Sequence, residues 1–288
     1  MKKLLVFLTI IVLLIPTGCA IKRDTMENIT IYTTAYPIEY ITNSLYGKHS
    51  TVKSIYPNGI VNSVYTLTDE QIKLYSNSAS LFIFNGIGKE KNYINPMMSY
   101  NKGLRIIDST KSIDYEYGEE ELWLNPSNIL MMAKNIKEGF DEYISNQYLK
   151  NNINKNYNEL KLTISKLEAK IYLMVEECDN KTILVSNDSL SFLSKYGLEI
   201  VSLDKNNNLI AKNTETAKSL INNKEVSYIF MLDEEEKTDI IKSFEKKVKL
   251  VYLNDLSNLT ENDLKENKNY ISVMNDNIDL LRAEIYND

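Results

Sequence analysis

Eight short runs of β-branched and aromatic residues, in two sets of four on either side of one unbroken helical stripe, constrain this chain more than any other feature. The first set is Ile29 to Tyr36, Thr51 to Tyr56, Leu81 to Phe84 and Leu104 to Ile107; the second is Thr182 to Ser186, Glu199 to Leu203, Val226 to Leu232 and Lys249 to Leu253. Segments with helical spacing or turn residues lie between the runs, a pattern that favours parallel sheets. Between the two sets, Leu160, Ile164, Leu167 and Ile171 recur at helical spacing on one face. The spacing predicts a helix from near Asn151 to about Glu177, a rod of about 40 Å at 1.5 Å per residue.

The expected fold is therefore α/β, with two lobes that each hold a mostly parallel four-stranded sheet, one long spine helix joining them, and a cleft between. The expected divisions are an N-terminal lobe over 29–150, a linker helix over 151–178 and a C-terminal lobe over 179–288. Open parallel sheets bind ligands beyond the carboxyl ends of their strands, so the cleft is the expected site.

The N-terminus sets the compartment. Lys2 and Lys3 precede an apolar stretch, Leu4 to Pro16, that is too short to cross a bilayer and reads as the core of a signal peptide over 1–18. Leu14-Ile15-Pro16-Thr17-Gly18-Cys19 resembles a bacterial lipobox, with Pro16 where leucine is usual. Cys19 is the expected lipidation site, residues 19–28 a lipidated tether, and the location the extracytoplasmic face of the cell membrane. Two acyl chains suffice for durable anchoring, at roughly 0.8 kcal/mol per buried methylene. Cys178 then lacks a partner and is expected to be a small buried apolar residue.

The formal charge of −6 becomes more negative once Lys2 and Lys3 are removed, which argues against nucleic acid or anionic lipid as a partner. A single histidine, His49, in the polar turn Gly47-Lys48-His49-Ser50, excludes multi-histidine metal sites and His-Glu-x-x-His hydrolases, and is read as a surface residue. Gly86-Ile87-Gly88 lacks the third glycine of a dinucleotide-binding turn, since position 91 is Lys91, and no phosphate-binding loop of the Walker type is present. The acidic runs Glu119 to Glu121 and Asp233 to Glu236 are expected to be solvated charge rather than catalytic pairs. Trp123, flanked by leucines, is expected in the core.

Several blocks spread over nearly the whole mature chain are similar to the zinc and manganese solute-binding lipoproteins of bacterial ABC importers, the cluster A-I, zinc-uptake component A type. The strand and aromatic-proline step ITIYTTAYPIEYI (29–41) resembles the family's opening. Residues 56–90 keep its second frame through Pro57, Gly59, Tyr65, Asn85, Gly86 and Glu90, and residues 121–136 keep Trp123, Leu124 and Pro126 of its His-x-Trp-Leu-x-Pro block. Residues 156–171 match its inter-lobe helix, VSNDSLSFLSKYGLEIVSL (185–203) its third block, and LVYLNDL (250–256) with YISVMNDNIDLL (270–281) its closing strand and helix.

The resemblance implies a non-enzymatic, monomeric receptor that binds a metal ion or small polar solute and delivers it to a permease and ATPase carried by other chains. It places the family's ligands on Ser63, Glu121, Asn187 and Asn254, with Asp255 adjacent, and the family's histidines on Ser63, Glu121 and Asn187. None is a histidine here. Zinc prefers nitrogen and sulfur, at about 2.0 to 2.1 Å from imidazole, so an oxygen-bearing set suits a hard divalent ion, an organic cation or a hydrogen-bonding solute better. Each position also has a local reading: Ser63 and Asn187 as helix caps, Asn254-Asp255 as a turn pair, and Glu121 as the end of an acidic run. Two competing functions stand beside the receptor: a degenerate receptor acting as a surface adhesin or accessory protein with no bound metal, and a hydrolase using Glu121 and Asp255, which requires those carboxylates to face each other.

Overall fold

The structure, a computed structural model, describes residues 26–58 and 65–286. The signal peptide, Cys19, most of the tether, Gly59 and Ser63 lie outside the described residues.

Four parallel strands, β1 (Ile29–Thr33), β2 (Ser50–Ser54), β3 (Leu81–Phe84) and β4 (Arg105–Asp108), form the N-terminal sheet in the order β2-β1-β3-β4. The two faces of this sheet separate by the period-two alternation of a strand: Ile31, Leu81 and Ile83 join one apolar cluster, while Tyr32, Phe82 and Phe84 join the other. Its helices are α1 (Tyr36–Tyr46), α2 (Asp69–Ser78), α3 (Ile94–Tyr100), α4 (Glu121–Leu124) and α5 (Pro126–Tyr143). Pro37 in the first turn of α1 ends β1 at Thr33, because a proline presets the helical φ and donates no ladder hydrogen bond. The first run therefore yields a strand and a helix start, where the sequence pattern predicts strand up to Tyr36.

The spine, α6, runs from Gln147 to Glu177. It begins four residues before the expected Asn151, since the Asn146 side chain accepts from the Tyr148 and Leu149 amides and caps the extra turn. At about 1.5 Å per residue the rod is about 46 Å long. Leu149, Ile153, Leu160, Ile164, Leu167, Ile171 and Met174 bury one continuous face. Near one end Asn156 Nδ2 donates to the Leu45 carbonyl of α1, and near the other the Met174 carbonyl accepts from Tyr286 Oη. Cys178 closes the helix and is buried, as expected.

The C-terminal sheet repeats the first: β5 (Thr182–Val185), β6 (Glu199–Ser202), β7 (Tyr228–Met231) and β8 (Lys249–Tyr252), all parallel, in the order β6-β5-β7-β8. Helices α7 (Ile210–Asn222), α8 (Asp239–Phe244), α9 (Glu261–Lys265) and α10 (Tyr270–Ile285) complete this two-lobed α/β fold. In both sheets successive connections leave the first strand to opposite sides, so the topology switches between β1 and β3 and between β5 and β7.

The lobes are joined by more than the spine. Trp123 Nε1 donates to the Asp255 carbonyl (2.7 Å), Tyr270 Oη to the Trp123 carbonyl (2.6 Å), the Tyr36 amide to the Ser257 carbonyl (3.2 Å), and Asn258 Nδ2 to the Pro57 carbonyl (3.1 Å). Trp123 is 3% exposed, in the core as expected, and Tyr40 stacks on Tyr270 at 5.3 Å. Among the described residues no helix is long and apolar enough to cross a membrane.

Candidate functional site

The carboxyl ends of the C-terminal strands open onto a pocket of about 310 Å³. β5 runs into Ser186 and Asn187, β6 into Asp204, β7 into Leu232 and Asp233, and β8 into Asp255, while Glu120 enters the wall from the N-terminal lobe. Glu120 is fixed there by Ser189 Oγ, which donates to its carboxylate at 3.0 Å. Gly118 lets the two segments come this close: a Cβ on it would lie 2.0 Å from Ser189 Oγ.

The pocket is acidic. Glu120, Asp204, Asp233, Glu235, Glu236 and Asp255 face Lys205 as the sole cationic side chain on the described wall. Glu236 is the most firmly held of them: Ser186 Oγ donates to it at 2.5 Å, Asn187 Nδ2 at 2.7 Å and the Leu232 amide at 2.9 Å. Burial, together with the nearby Glu120 and Asp233 carboxylates, raises the Asp255 carboxyl above its ordinary range, against the opposing bonds from Ser257.

Of the positions the sequence singles out, Asn187 and Asp255 lie on this wall and Glu121 and Asn254 do not; Ser63 is outside the described residues. Glu121 is 7% exposed, and its Oε2 accepts the amides of Glu116 (3.1 Å) and Tyr117 (3.0 Å), so this carboxylate clamps its own preceding loop. Asn254 Oδ1 accepts the Leu256 amide, the turn that its local reading anticipated. Asn187 serves twice: Oδ1 caps the helical turn Asp188–Tyr196 by accepting the Ser189 amide, and Nδ2 holds Glu236. Asp255 accepts the amide and hydroxyl of Ser257. Glu121 and Asp255 thus turn to different partners and share no pocket wall, which removes the arrangement a paired-carboxylate hydrolase requires.

The expectation that both acidic runs are simply solvated is corrected. Glu119 is half-buried against Asn85, Glu121 is buried, and Glu236 carries three donors. The signal for Glu120 was the same run that drew attention to Glu121, one residue off, because a 3-10-like turn into α4 aims adjacent side chains at different lobes. His49, expected at the surface, is half-buried in a 3-10 turn, edge-on to the Tyr148 ring at 6.3 Å. Among the described residues no three His, Cys, Asp or Glu side chains converge closely enough to hold a metal ion. The donors on the described wall are oxygens and one amine, a set that suits hard cations and hydrogen-bonding cations better than zinc.

Residues 31–284 match the family model of the periplasmic zinc-uptake complex component A, ZnuA. The zinc-binding lipoprotein AdcA of Streptococcus pneumoniae is 22% identical, over 98% of this chain and 61% of AdcA, so the chain spans about three-fifths of the length of the curated relatives it matches. Among solved structures, the Zn(II)-bound ZnuA-like domain of that AdcA superposes with a TM-score of 0.72 at 20% identity, covering 90% of this chain and 100% of the domain. The metal-dependent lipoprotein YcdH from Bacillus subtilis gives a TM-score of 0.73 at 20% identity, covering 89% of this chain and 99% of YcdH.

Proposed function

Since this chain belongs to the periplasmic zinc-uptake complex component A family, a family of transport receptors and not of enzymes, we propose that it is an extracytoplasmic receptor for a cationic solute, anchored by lipid at Cys19, which delivers its cargo to an ABC permease and ATPase. The cargo site is the cleft between the lobes, at the carboxyl ends of β5 to β8. One observation carries this: the pocket there gathers six carboxylates against a single lysine, and Glu120 contributes from the opposite lobe. A cation seated in it would draw Glu120 and Asp255 toward one charge and so sense both lobes at once. With Asn187 where the family places a histidine, and with Glu121 occupied by backbone amides, zinc is expected to bind far more weakly than a hard divalent ion or an organic ammonium.

A second reading, an accessory protein or adhesin that holds no metal, is favoured by one observation: every described position carried over from the family has an internal partner. Elemental analysis of the purified mature protein, followed by calorimetric titration with Zn²⁺, Mn²⁺, Ca²⁺, Mg²⁺ and a panel of organic cations, separates the two. Binding that Asp255→Asn and Glu120→Gln each weaken at least tenfold supports the receptor; a flat response to the whole panel favours the accessory protein.

A further inference from the structure

A second group of oxygens converges away from the pocket, at the carboxyl end of β3, where the chain turns through Asn85-Gly86-Ile87-Gly88-Lys89-Glu90. Glu90 is 5% exposed. Its Oε1 accepts from Tyr56 Oη at 2.8 Å, but its Oε2, equally buried, has no hydrogen-bond partner among the described residues. A buried carboxylate oxygen in that condition is costly, because it has left water without replacement. The orphan oxygen faces Gly88: a Cβ there would lie 2.1 Å from Glu90 Oε2, 3.0 Å from Glu119 Oε1 and 3.3 Å from Asn85 Nδ2. Two polar groups of the 85–90 turn and one carboxylate of the 118–121 segment therefore crowd Gly88, where only glycine leaves them room.

Two carboxylates, Glu90 and Glu119, approach each other there. Asn85 Nδ2 donates to Glu119, and the Lys89 ammonium donates to the Tyr65 carbonyl at 2.5 Å and lies 5.8 Å from the centre of the Tyr56 ring.

We propose that Glu90 and Glu119 form a second site, which takes a hard divalent cation as a structural ion distinct from the transported solute. A cation supplies the partner that Glu90 Oε2 lacks and offsets both carboxylates. Carboxylate oxygens are donors that calcium, magnesium and manganese prefer, and water completes the shell on the half-buried Glu119 side. Asn85 Oδ1 accepts the Ile87 amide at 3.1 Å, which fixes the carboxamide so that its Nδ2 orients Glu119. Once filled, the site ties the 85–90 turn to the 118–121 segment, and that segment carries Glu120 to the pocket wall. The ion thereby braces the N-terminal side of the cleft.

The test uses the full mature protein stripped with a chelator, at pH 7.5, with Ca²⁺, Mg²⁺ or Mn²⁺ added singly. At a hundredfold excess over Kd the melting temperature is expected to rise by about 5 °C. In Asp255→Asn, which disables the pocket, the rise should persist, and it should vanish when Glu90→Gln or Glu119→Gln is added to that background, so failure of one site is told apart from failure of the other. A rise that survives both glutamine changes in the Asp255→Asn background overturns the proposal, as does a flat response of Asp255→Asn to all three ions. Terbium luminescence gives a readout independent of stability: Tyr56, bonded to Glu90, should sensitise Tb³⁺ emission that Ca²⁺ competes away and Tyr56→Phe largely removes. Emission unchanged by Tyr56→Phe counts against the site.

Discussion

Glu121 sits where the family carries a ligand, yet its geometry is that of a loop clamp, and two substitutions separate these roles. Its Oε2 receives two backbone amides, from Glu116 and Tyr117, at 3.1 and 3.0 Å. A hydrogen bond to a charged acceptor contributes about 1.5 to 3 kcal/mol when its loss leaves the donor stranded. Residues 116 and 117 are exposed, so water replaces much of the lost bonding, and Glu121→Ala should cost about 2 to 3 kcal/mol in total. Glu121→Gln keeps an oxygen in place but loses its charge, and should cost about 1 kcal/mol. For a chain of this size these figures correspond to falls in Tm of about 5 to 10 °C and about 2 to 4 °C. Calorimetric melts of both variants, run beside cation titrations, decide the matter. The clamp predicts reduced stability in that order with Kd unchanged; a Gln variant that melts like the unsubstituted protein while its affinity drops tenfold would refute it and return Glu121 to the ligand set.

Three further outcomes follow from the geometry. In cation-free protein the Glu119 carboxyl, raised from 4.5 to about 7, binds its proton more tightly when folded, so its contribution to stability is full below pH 4.5 and is lost as pH rises through 7. Glu119→Gln should flatten the fall in stability across that window by up to about 3 kcal/mol, and an unchanged slope in pH-dependent urea melts counts against the assignment. Gly139→Ala, which would put a Cβ 2.7 Å from two Ile107 side-chain atoms, should destabilise by about 1 to 3 kcal/mol despite the better helix former, and Ile107→Val should recover part of the loss in denaturant titrations. Trp123→Phe removes the donor to the Asp255 carbonyl and leaves that carbonyl to find another partner, a cost of about 1 to 3 kcal/mol that thermal melts should register.

The two sheets were legible because fully buried parallel strands announce themselves as uninterrupted apolar runs: Leu81–Phe84 and Tyr228–Met231 are buried at every position. Boundaries were less legible at the carboxyl ends. Ser186 and Leu203 extend the run patterns past β5 and β6, yet both already belong to the loops that build the pocket. The spine was visible in its apolar stripe, but its first turn depends on the Asn146 cap, a polar signal that hydrophobic spacing does not contain. At the candidate site, the resemblance pointed to Asn187 and Asp255, which line the pocket, and to Glu121, whose neighbour Glu120 lines it instead. Residue type could not separate neighbours in an acidic run whose side chains diverge at a helix start. Glu236 was invisible for a different reason: its partners Ser186, Asn187 and Leu232 come together only when β5 and β7 lie side by side.

The unbroken helix α6, which grips α1 near one end and the last helix near the other, makes the relation between the lobes a matter of angular phase. Adding one residue to it would rotate everything downstream by about 100° and carry Asp255 away from Trp123. Length variation should therefore collect in the surface turns on either side, while the rod itself tolerates exchange of side chains but not a change in residue count.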